Sequence, residues 1–207
     1  MKKILLSIFS LAIVASTAFG QVDRSKAPKA GPAPKIQIKD AATFTLDNGL
    51  KVIVVENHKN PTVSFQLNVD YVPFLEGEVA GNASIAGQLL KTGTTSKSKS
   101  EIDQSIDFIG ANFNTNAKGF YASTLKKHSD ELLAVVSDVV LNPSFPQDEL
   151  DKLKKNTISG IESNKSDAGA ISGNVANVLR YGKNHPYGEI ETKESIENIS
   201  LESVKNF

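Results

Sequence analysis

The alternation of apolar and polar positions sets out the folded part of this chain. Thr43 to Leu46 alternates, Asp47-Asn48-Gly49 follows, and Leu50 to Val55 is a β-branched run. Two such runs around Asn-Gly predict a β-hairpin, because Asn and Gly tolerate the positive φ of a tight turn. Between Thr62 and Val69, the residues Val63, Phe65, Leu67 and Val69 share one face and predict a third strand. The period then lengthens. Ala80 to Lys91 reads as a helix, with Ile85/Leu89 and Ala86/Leu90 one turn apart and Gly93 ending it. Ser98-Lys99-Ser100-Glu101 has the form of a capping box. The helix it starts would bury Ile102, Ile106 and Ile109 and stop at Gly110. Ala111 to Thr115 and Gly119 to Leu125 read as two strands joined by a polar turn.

Helices dominate the remainder. Ser129 is the expected cap of one whose apolar face is Leu132, Val135, Val136, Val139 and Val140, with Asn142-Pro143 as its stop. Pro146 suits a first helical position, and Leu150, Leu153, Thr157 and Ile161 line one side of a long helix. A weaker helical stretch runs from Ile171 to Leu179, interrupted by Gly173. His185-Pro186-Tyr187-Gly188 reads as a turn, and Ser200 as the cap of a last helix. Strands, helices, strands, then helices is an α+β order rather than a βαβ alternation.

The N-terminus is of another kind. Lys2 and Lys3 precede an apolar run from Ile4 to Val14, and Ala18-Phe19-Gly20 supplies small residues for cleavage. This predicts a secretory signal peptide over residues 1–20, the run being too short to cross a bilayer. Its bacterial style points to the periplasm. Residues 21–40, with Pro28, Pro32 and Pro34, read as a flexible leader. Residues 41–207 are then the folded domain.

Composition narrows the chemistry. The 207 residues carry 23 Lys+Arg against 23 Asp+Glu, so net charge gives no case for nucleic acid or an anionic membrane surface. The absence of Cys excludes disulfides, thiol nucleophiles and Cys-held zinc. There are three His: His58, His128 and His185. No two fall at i,i+4 spacing, and turn or surface roles are expected for all of them. There is no G-x-S-x-G and no P-loop, and Ser84 has no His at a suggestive position.

An ordered set of landmarks resembles the M16 (pitrilysin/insulinase) peptidase family. Leu46-Asp47-Asn48-Gly49-Leu50 with its following strand looks like that family's domain opening. Gly81 to Thr94 is similar to its next segment, and Phe108-Ile109-Gly110-Ala111 to its turn into the following strand. Asn142-Pro143 with Phe145, then Tyr181-Gly182 and His185-Pro186-Tyr187-Gly188, match later landmarks. The resemblance covers residues 43–207. It implies an α+β fold with a mostly antiparallel sheet and helices packed on one face. It also implies that this is an N-terminal domain whose last strand is missing, a piece of a longer subunit prone to associate through its open sheet edge.

The family's chemistry is zinc-dependent peptide hydrolysis through H-x-x-E-H on a helix. Two His one turn apart hold the metal and the Glu activates water. Counted back from Gly93-Thr94, those positions fall on Ser84, Gly87 and Gln88. The third ligand, a Glu on a later helix, maps to Ser159 or Gly160, with Glu162 nearby. The resemblance therefore implies a member with no catalytic or metal-binding residue and no cofactor of its own. It would line a chamber and hold peptides beside a partner subunit that carries zinc. The competing expectations are an active zinc metalloendopeptidase whose metal site lies beyond residue 207, and a stand-alone peptide-binding protein.

Overall fold

The computed structural model describes residues 31–33 and 40–207. The expected signal peptide over 1–20 lies outside the described residues, as does the leader over 21–40 apart from 31–33 and 40. The described residues up to Glu56 belong to one compact unit, and Asn57–Phe207 form a second.

In the first unit β1 (Ala42–Thr45) pairs antiparallel with β2 (Lys51–Val54), in a register running from Ala42 opposite Val54 to Thr45 opposite Lys51. The turn is built as its residues require. Gly49 has φ +87°, and the Asn48 side chain accepts from the Leu50 amide at 3.1 Å.

The second unit contains β3 (Thr62–Asn68), α1 (Asn82–Leu89), α2 (Lys99–Phe108), β4 (Asn112–Asn116) and β5 (Gly119–Leu125). It continues with α3 (Ser129–Leu141), α4 (Gln147–Asn164), α5 (Ala168–Tyr181), α6 (Lys193–Asn198) and α7 (Leu201–Lys205). The strands form an antiparallel sheet in the order β3-β5-β4. Phe65, Ala122 and Phe113 stand in one row across it, and Leu67, Phe120 and Thr115 in another. The period-2 pattern thus presents one apolar face, and α2 and α3 cover it. Ile102 and Ile109 from above, with Leu132, Val135, Val136 and Val139, join Phe113 and Ala122 in one core cluster.

A second cluster is helical. Ile85, Ala86 and Leu89 of α1 pack with Leu150 of α4, Ile196 and Ile199 in and after α6, and Val204 of α7. The fold is the expected α+β arrangement of antiparallel strands and packed helices. α5 is the exception to the burial pattern: it buries none of its residues, and Ile171, Val175 and Leu179 are exposed.

Three local expectations need correction. His128, not Ser129, is the cap residue of α3, and Ser129 is its first helical residue. Pro146 is likewise the cap of α4 rather than its first residue, in an extended conformation. The helix expected over 80–91 is shorter, and its last turn, Leu90–Thr92, tightens to a 3₁₀ turn. One helix was missed, α6, whose Thr192–Ser195 capping box carries Ser where the usual motif has Glu or Gln.

Candidate functional site

The positions where the resemblance puts a zinc motif lie on α1, and this helix is fixed at both ends. Gly81 begins it with φ +100°, and a Cβ there would meet Ile196 Cδ1 at 2.7 Å. The Glu76 carboxylate accepts from the Gly81 and Ala83 amides at 2.6 and 2.8 Å, satisfying donors that a helix start leaves open. Glu76 is itself placed by Glu189, whose carboxylate accepts from the Glu76 and Gly77 amides at 3.0 and 2.7 Å. Burial and the nearby charge of Glu76 push the Glu191 carboxyl above its ordinary value.

Buried polar groups tie α1 to α6 and α7. Asn82 donates to the Ser203 carbonyl at 3.0 Å and accepts from the Ser203 hydroxyl at 2.9 Å. The Ser195 hydroxyl, buried, donates to the Ala80 carbonyl at 2.9 Å. Beyond the C-terminal end, Asp138 on α3 accepts from Thr94 Oγ1 and Ser96 Oγ, each at 2.8 Å. These hydroxyls, with Asn142 and Lys97, hold the Asp138 carboxyl down at about 2.

Within this frame Ser84 and Gln88 serve each other. The Gln88 amide donates to both the carbonyl and the hydroxyl of Ser84 at 3.3 Å. Gly87 faces the β4–β5 turn, where a Cβ would overlap the backbone of Asn116 and Ala117. On α4, the Ser159 hydroxyl turns back to the Lys155 carbonyl at 3.0 Å. Gly160 has open space at its Cβ position, and Glu162 is paired with Lys165 at 2.8 Å. Ser84, Gln88 and Ser159 offer two hydroxyls and an amide, which suit zinc poorly, and the Glu162 carboxylate is the single acidic group among these positions.

The histidines stay apart in role. His58 is exposed between β2 and β3. His128 Nδ1 lies 2.6 Å from Glu131 Oε2. His185 stacks on Tyr181 at 5.3 Å between ring centres, and its Nδ1 accepts from the Tyr187 amide. Among the described residues no three His, Asp or Glu side chains are placed to share a metal ion.

Sequence reasoning missed Glu76 and Glu189. Glu189 acts through contacts 113 and 112 residues away, which leave no local signal, and Glu76 bonds to amides five and seven residues on, outside the three-residue spacing of a capping box. It also read Gly87 as a loss of chemistry only, not as a contact.

The family model of the insulinase peptidases (peptidase family M16) matches residues 51–178. The uncharacterised zinc protease YmxG of Bacillus subtilis is 24% identical over 171 residues, covering 79% of this chain and 42% of that protein. The uncharacterised zinc protease ML0855 of Mycobacterium leprae is 28% identical over 193 residues, covering 89% and 43%. The chain thus spans less than half the length of these relatives. A crystal structure described as a peptidase M16 inactive domain, from Pseudomonas fluorescens, superposes with a TM-score of 0.72 at 25% identity, covering 81% of this chain and 42% of that one. The periplasmic protease PqqL of Escherichia coli shares the fold, with a TM-score of 0.63 at 16% identity over 84% of this chain and 21% of its own. No described helix is long and apolar enough to cross a membrane. The landmarks, the fold and the family match agree, and the chain belongs to peptidase family M16, the insulinase family.

Proposed function

We propose that this chain is an exported, non-catalytic M16 domain that lines a peptide-holding chamber while a motif-bearing M16 subunit supplies zinc. The observation that carries the reading is the contact at Gly87. The family's general base would stand there, but the space a side chain needs is filled by the Asn116–Ala117 backbone. Ser84 and Gln88, at the two metal-ligand positions, are hydrogen-bonded to each other. Further support comes from the likeness to a domain described as inactive. Export rests on the N-terminal pattern of residues 1–20. A domain of this kind contributes walls and backbone hydrogen-bonding groups; strand addition at an open sheet edge is one mode that needs no catalytic side chain.

The test is to purify the chain alone and together with a motif-bearing M16 protein from the same organism, then measure peptide cleavage with and without a chelator. Chelator-sensitive cleavage only in the pair is expected. Chelator-sensitive cleavage by the lone chain sinks the proposal and favours an active enzyme.

A further inference from the structure

A cavity of about 500 Å³ opens between the sheet and the helices, on the side of α1 that carries Ala86 and Gly87. Ser84 and Gln88 do not line it. Its apolar wall comes from Leu67, Leu90, Phe120, Val140, Phe145 and Val204. Three rings close one side: Tyr71 stands edge-on to Phe207 at 5.9 Å and lies 6.3 Å from Phe74. That volume is in the range that holds a compact organic group.

The side-chain charge at this cavity has one sign. Lys118 and Lys205 line it, and no Asp or Glu does. Lys118 lies over the Tyr71 ring at 5.6 Å. Among the described residues neither lysine is held in an ion pair. An apolar interior beside two ammonium groups and no acidic side chain suits a ligand with a bulky apolar body and a carboxylate. The neighbouring turn also lines the cavity through Asn116, Ala117 and Gly119; within it the Asn116 side chain accepts from the Lys118 amide and the Lys118 carbonyl accepts from the Val69 amide. A peptide end and a fatty acid both carry an apolar body and a carboxylate, and the peptide-holding reading selects the peptide.

We propose that this cavity receives the carboxy-terminal residue of a peptide, its apolar side chain inside and its carboxylate toward Lys118 and Lys205. The inference rests on the peptide-holding reading above and names the part of the peptide that is held.

The probe is a hexapeptide, Gly-Ser-Gly-Ser-Leu-Phe, labelled at its amino end, added to the full chain and followed by fluorescence anisotropy. The free acid should bind about tenfold more tightly than the same peptide ending in an amide. That advantage should shrink as salt is raised. The double variant Lys118→Gln, Lys205→Gln should bring the acid down to the amide. Val72 lines the cavity and is 85% exposed, so Val72→Asp should leave the melting temperature unchanged and abolish binding of both. Equal binding of acid and amide, unaffected by Val72→Asp, overturns the inference and leaves the peptide-holding function standing. Displacement of the peptide by decanoate at equal concentration overturns the assignment to a peptide. If neither peptide binds, this inference and the peptide-holding part of the proposed function both fall, whatever the cleavage assay gives for the partner.

Discussion

Gly87 on α1 and Gly160 on α4 stand where the family resemblance leads one to look for chemistry, and both lack a side chain. Their surroundings are opposite. A Cβ on Gly87 would overlap the Asn116–Ala117 backbone, whereas a Cβ on Gly160 would meet nothing within 4 Å. One glycine is required by a close approach between a helix and a turn. The other is a residue in the middle of an 18-residue helix that its neighbours do not require. The same absence in a sequence therefore has two meanings: at position 87 the space has been given to packing, and at position 160 it remains open. The two positions can be restored with very different ease.

The sharpest way to break this contrast is Gly87→Ala. Because the nearest atoms are backbone and cannot step aside, a loss of about 3 kcal/mol or more is expected in urea unfolding. A loss below about 1 kcal/mol would show that the turn yields readily, and the contrast would fail.

The next test concerns how firmly α1 is held. Ser195→Ala removes the hydroxyl that donates to the Ala80 carbonyl and accepts from the Thr192 amide. It leaves buried groups unpaired, so a loss of about 1–2 kcal/mol is expected. No change would mean that α1 owes its position to apolar packing alone.

On the open side, Gly160→Ala should stabilise by about 0.5–1 kcal/mol, since the helix loses a flexible residue and gains no clash. Destabilisation there would make the two glycines alike.

The smallest effect is in the pH dependence of the loop that follows α1. The Asp138 carboxyl is held at about 2, below its ordinary value, by hydroxyls of Thr94 and Ser96. A depressed carboxylate contributes stability that is fully present above about pH 4 and is lost as pH falls through about 2. Asp138→Asn should flatten that part of the stability curve while leaving the curve's shape above pH 5 unchanged. An unchanged acid limb would remove Asp138 as the anchor.

Some of this molecule was legible along the chain because the cause is local. The Asn48-Gly49 turn, the alternation Val63-Phe65-Leu67, the Ser98–Glu101 box and the Ser200 cap each work within a few residues, and each appears in the structure. The misplaced caps at Ser129 and Pro146 are single-residue shifts. In α3 the Ser129 side chain bonds to neighbouring Asp130 instead of capping, and in α4 Pro146 stays extended. α6 escaped because it is six residues long, and only Ile196 and Ser195 of it are buried. Its partners, Ala80 and Gly81, lie more than a hundred residues earlier.

The sequence by itself determined the α+β order, the periodicity of each core face and the residue types at Ser84, Gly87, Gln88, Ser159 and Gly160, because these depend on covalent identity and local backbone preference. Only the tertiary structure decided that Glu189 sets Glu76 at the start of α1, that α5 keeps its apolar residues exposed, and that the β4–β5 turn fills the space beside Gly87. These depend on which distant segments come into van der Waals and hydrogen-bond contact, and that is settled only when the sheet and helices close on a common core.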